Sequence, residues 1–149
     1  MSNFLVDNGG VLTGNNLSTL NTLLYHATYN FAVDGGAVGL ITPLSNVIIP
    51  QNYVITNCAL NSTTAVTSGG SATVSVGLSA GGGGAAALVA ATAKASWSAN
   101  AFVQGVPVPQ TASTWIKMSA AGAITLTVAT AALTAGIVEV YVWGYLSAS

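Results

Sequence analysis

The groups that could carry acid–base or nucleophilic chemistry in this chain are few: Asp7, Asp34, Glu139, His26, Lys94, Lys117, Cys58 and five tyrosines. A hydrolase working with paired carboxylates needs two of them facing each other across a cleft. Asp34 and Glu139 are available, but nothing in their spacing brings them together. A Ser–His–Asp triad built on His26 and Asp34 needs a serine held in a strained elbow, and none is expected to serve. Zinc asks for clustered Cys and His, and one of each stands far apart. Calcium could use Asp7 or Asp34 with backbone carbonyls, but the further acids of a calcium loop are missing. The glycine run Gly81–Gly84 leads into Ala85-Ala86-Ala87 where a phosphate-binding loop carries Lys and Ser or Thr. The chain is therefore expected to be no enzyme and to hold no cofactor and no metal.

These groups must be positioned by elements with almost no charge. Among 149 residues only 3% are charged, and none lies between Asp34 and Lys94. Hydrophobic residues make up 52%. A net charge of −1 leaves no basic footprint for nucleic acid. A membrane-spanning helix needs about 20 consecutive apolar residues, and the most apolar window, Ala80 to Ala93, is short and glycine-rich. Neither nucleic acid nor membrane is an expected partner. A free monomer is normally kept soluble by a well-charged surface. A surface of Ser, Thr, Asn, Ala and Gly instead suits a protein that meets other protein over much of its area. Cys58 has no partner for a disulfide, and its strand-like run Tyr53 to Leu60 predicts a small buried residue. The reading of Asp34-Gly35-Gly36 is a tight turn in which the carboxylate bonds a nearby backbone N–H.

Up to Asn30 the pattern is mixed. Leu17, Leu20 and Leu24 fall at helical spacing after Asn15 or Asn16 as a cap, while Tyr25 to Ala32 also reads as a strand. Residues 1–30 are assigned to an N-terminal arm and 31–149 to one domain. From Ala37 onward the period is two. In "SATVSVGL", Ala72, Val74, Val76 and Leu78 share one face. In "ITLTV", Ile124, Leu126 and Val128 point inward. A turn is expected at Gly136, followed by a last strand from Ile137 to Leu146, with Val138, Val140 and Val142 on one side. About eight short strands separated by turn signals predict an all-β fold, a single antiparallel β-sandwich or jelly roll.

The other side of that last strand is the most informative feature. Tyr141, Trp143 and Tyr145 stand in a row beside Glu139. Three readings stay open. The row stacks on sugar rings, anchors a subunit interface where Tyr and Trp are favoured, or forms the second buried face of a central strand. Tyr25, Tyr29 and Phe31 make a second aromatic group, expected to grip a partner from the arm.

The ordered segments "FAVDGGAVGLITPL", "VIIPQNYVITNCAL", "TSGGSATVSVGL", "GVPVP" and "ITLTVATAALTAGIVEVYVWGYL" resemble the head decoration (cement) proteins of tailed bacteriophages. The resemblance covers about Phe31 to Leu146 and brings no catalytic residue with it. It implies a jelly-roll or sandwich fold and a place on the outer capsid surface of the virion. It further implies homo-oligomers, trimers foremost, that clamp the major capsid protein. A fibre or spike component, or a carbohydrate-binding module acting through the aromatic face, is the alternative.

Overall fold

The computed structural model describes residues 5–6, 12–13 and 22–148. Its strands are β1 (Leu5–Val6), β2 (Leu12–Thr13), β3 (Thr22–Asn30), β4 (Gly39–Ile41), β5 (Ile48–Ile49), β6 (Tyr53–Ser68), β7 (Thr73–Leu78), β8 (Val89–Ala93), β9 (Ala101–Gln104), β10 (Ile116–Lys117), β11 (Gly122–Ala129) and β12 (Leu133–Leu146). One helical turn, α1 (Phe31–Asp34), follows β3 directly. Two antiparallel sheets build the sandwich. The first runs β10-β6-β12-β3, with β9 also on β6; the second runs β4-β11-β7-β8, with β5 also on β11. β1 and β2 pair with each other in a sheet of their own.

The alternating pattern explains the core. Val138, Val140 and Val142 from β12, with Leu60 and Cys58 from β6, face Val74, Val76, Ile124, Leu126 and Val128 of the other sheet, all at most 1% exposed. Each such side chain contributes about 1.5–3 kcal/mol by leaving water. Trp97 and Met118 close the interior at 0% exposure.

Several expectations change once the strands pair. β6 and β12 are long, 16 and 14 residues, rather than short, and they zip together along most of their length. The turn expected at Gly136 lies inside β12, where the ladder with β6 shifts register at Ala135 and Ile137. The actual reversal comes earlier, at Thr130, which adopts φ 73° while Ala131 N–H bonds Ala129 C=O at 2.9 Å. Thr22–Asn30 is a strand of the sandwich, paired residue by residue with β12 from Thr22↔Tyr145 to Asn30↔Ile137. The arm therefore contains a core strand, because Ala27 and Tyr29 alternate into the interior at 0% exposure. Leu24 belongs to that strand and not to a helix; Leu17, Leu20, Asn15 and Asn16 lie outside the described residues. The glycine loop is more than a connector. It folds over β7, so that a Cβ on Gly77 would strike the Gly84 carbonyl.

Candidate assembly surface

β12 is central in its sheet, flanked by β3 and β6, so one of its faces lies in the core and the other looks outward. The regular ladder with β3 sets which side chains meet on the outer face. Glu139 sits opposite Thr28, Tyr141 opposite His26, and Trp143 opposite Leu24. On the β6 side the same residues face Asn61, Ala59 and Asn57, and β9 places Phe102 beyond Asn61 and Gln104 beyond Ala59.

The contacts on this face form one ordered stack. The His26 and Tyr141 rings lie 4.7 Å apart at 26° to each other. Tyr141 and Trp143 lie 6.0 Å apart at 25°. The Tyr141 hydroxyl donates to Glu139 Oε2 at 3.0 Å. That bond raises the phenol pKa, with burial and the carboxylate charge adding to it. Gln104 Nε2 donates to Asn57 Oδ1 at 3.1 Å. At the margins Leu24 is 53% and Phe102 79% exposed.

The six aromatic residues singled out from sequence therefore divide. Tyr141, Trp143 and Tyr145 face outward, so the reading of a second buried face does not apply to them within a single chain. The Tyr25, Tyr29 and Phe31 group packs inward instead. Tyr29 is wholly buried and donates its hydroxyl to the Gly35 carbonyl at 2.7 Å. Burial, helped by the Asp34 charge, pushes its pKa up to about 12. Tyr25 meets the Tyr53 ring edge-on at 4.9 Å, and Phe31 packs against the core. Tyr29 thus holds the fold together and presents nothing to a partner. Sequence reasoning missed Leu24 and Phe102. The alternation of β3 carried the signal for Leu24, which shares a face with His26.

A second apolar surface runs along residues 33–48. Val33, Val38, Leu40, Leu44 and Ile48 are each more than half exposed, Leu44 most of all at 80%. Asp34 anchors this segment as its turn reading anticipates. Its Oδ2 accepts from Asn30 N–H and its Oδ1 from Leu44 N–H, both at 2.8 Å. A shallow pocket of about 380 Å³ lies there, lined by Thr28, Asn30, Val33, Asp34, Leu44 and Ser45. Leu44 and Val33 make it apolar, and both carboxylate oxygens of Asp34 are already engaged by the backbone.

Among the described residues no three His, Cys, Asp or Glu side chains gather into a metal-holding group. Gly77-Leu78-Ser79-Ala80-Gly81 does spell G-x-S-x-G, a match that the expectation about serines overlooks. The structure gives it another role. Ser79 leaves β7 into the glycine loop rather than a helix, and its Oγ accepts from Ala123 N–H at 2.9 Å. Cys58 is buried, and burial pushes its thiol up to about 12. No described helix is long and apolar enough to cross a membrane.

Three chains from phage capsids share this fold. One comes from the acid-stable capsid of Helicobacter pylori bacteriophage KHP30, with TM-score 0.57 and 14% identity, covering 85% of this chain and 89% of the other. A second comes from the capsid asymmetric unit of cyanophage Pam1, with TM-score 0.57 and 22% identity over 85% and 86% of the two chains. A third comes from the capsid of Ralstonia phage GP4, with TM-score 0.52 and 17% identity over 85% and 86%. No protein-family model matches the sequence, and no curated protein does.

Proposed function

We propose that this protein is a structural component of a phage virion, a decoration or cement protein that binds the outer surface of the head. Its partner on this reading is the major capsid protein, and its copies close into a homo-oligomer, a trimer foremost. The observation that carries the reading is the fold held in common with chains of three phage capsids over most of both lengths. The surface supports it. The outer face of β12 offers Tyr and Trp, the side chains that dominate interface energetics, on a rigid sheet. The wall along residues 33–48 adds exposed apolar area with no charge but Asp34.

Quantitative mass spectrometry of purified virions tests the proposal. A copy number comparable to that of the major capsid protein, or a simple fraction of it, is the expected result. A copy number at the level of a tail or fibre part overturns head decoration and makes the stacked Tyr141 and Trp143 rings a receptor or glycan platform. Absence from the particle overturns the virion reading altogether.

A further inference from the structure

β3 closes one end of the first sheet, and among the described residues its outer edge has no neighbouring strand from Thr22 to His26. Thr28 N–H bonds Ser45 C=O at 2.9 Å on that edge, which fixes the direction of the alternation. In an antiparallel strand every second residue points its N–H and C=O the same way. The N–H and C=O groups of Thr22, Leu24 and His26 therefore also point away from β12. Among the described residues nothing bonds them. Natural sheets blunt such edges with charge, proline, a bulge or a very short strand. β3 has none of these: it is 9 residues long, without charge or proline, and its ladder with β12 is unbroken. Exposed Leu24 sits in the middle of the open stretch.

In sequence, the residues before Thr22 lead directly into this strand. Residues 1–21 carry one charge, Asp7, and the apolar groups Phe4-Leu5-Val6 and Val11-Leu12. Their strands β1 and β2 pair with each other over two residues each and do not join β3. A ladder that short is marginal by itself. Among the described residues, then, the sheet stops at β3, and β1 and β2 do not extend it. We infer that residues 1–21 of one copy add a strand to the free edge of β3 in a second copy, so that copies are joined by exchanged arms. Main-chain hydrogen bonds supply such an addition without any charged group, and exchange of an identical element is a low-cost route to a closed oligomer.

The test uses the isolated full chain, so its outcome is independent of capsid binding. A photo-crosslinking residue replaces Leu5 in isotopically heavy copies, which are mixed with light copies, irradiated and digested. Heavy residue 5 joined to a light peptide containing Leu23 to Ala27 is the expected product. Crosslinks to that peptide only within the heavy chain, or to other peptides only, overturn the inference. Leu24→Pro gives a second reading. It deletes an edge donor that β12 does not use, a position where sheets tolerate proline. Analytical ultracentrifugation should show the wild type as an oligomer, and Leu24→Pro and the chain lacking residues 1–21 as single chains with unchanged circular dichroism. A wild type that sediments as a single chain, or variants that stay oligomeric, overturn the inference. Should Leu24→Pro lose its β spectrum, the crosslink and the truncation decide.

Discussion

Trp143 and Val142 are neighbours in sequence, yet one faces outward and the other is fully buried. Removing each therefore has a different consequence. Val142→Ala leaves a void in the core and lowers stability. If the protein decorates capsids as proposed, Trp143→Ala should weaken that binding by about 2 kcal/mol, roughly thirtyfold in Kd, the scale of an interface anchor. Its thermal midpoint should move little, and binding isotherms beside melting curves separate the two effects. Cys58 and Tyr29 make a second prediction. Both are held protonated by burial, with pKa values pushed up to about 12 from ordinary values of 9.0 and 10.0. In the unfolded chain they ionise at those ordinary values, so the unfolded state gains above pH 9. Their contribution to stability is complete below about pH 9 and is lost as pH rises towards 12. Denaturant midpoints measured from pH 7 to pH 11 should be flat at first and then fall. Over the flat range Cys58 should resist thiol reagents until the chain unfolds.

At the scale of elements, β3 decides where the chain can be cut. Removing residues 1–30 takes away Ala27 and Tyr29 and uncovers the edge of β12, so that truncation should yield insoluble or unfolded protein. Removing residues 1–21 leaves every described element of the sandwich in place, so a cooperative melt should remain. Differential scanning calorimetry of the two truncations checks this. The same strand shows how far the sequence was legible. Period-two runs in β7, β11 and β12 named the residues that face the core, because alternation puts every second side chain on one face; in β7 and β11 the other face is covered as well, with Ser75 6% and Thr125 0% exposed. "TLLYHATYN" lacks that contrast: its outward residues are Leu, His and Thr, so helix and strand read alike. The turn at Gly136 failed for a related reason. A glycine inside a strand marks a bulge as readily as a reversal, and only the pairing with β6 shows which. On the candidate surface the outward row of Tyr141, Trp143 and Tyr145 was legible from alternation. The inward direction of Tyr25 and Tyr29 depended on the strand that alternation alone did not identify.

For the whole molecule, the scarcity of charge becomes a property of its associations. Two basic and three acidic residues in the full chain give an approaching partner almost nothing to steer by. Attraction between charged surfaces weakens as salt shortens the screening length from about 10 Å at 0.1 M to about 3 Å at 1 M. On the decoration reading, binding to capsids should therefore change little across that range of sodium chloride, where a steered complex would lose much of its on-rate. Surface plasmon resonance at the two salt concentrations checks it.

The order of the strands has a consequence in time. β12 is central in its sheet, yet it follows every other described strand along the chain. β3 and β6 both pair with β12 and not with each other. While a ribosome is still making the chain, these two strands have been synthesised but lack the element that joins them. β6 can pair with β9 and β10 before then, but the ladder joining β3 to β6, and with it the aromatic face, comes into being only when synthesis has passed Leu146. A nascent chain is thus unable to present its outer face early, and capture by a partner waits for a finished fold.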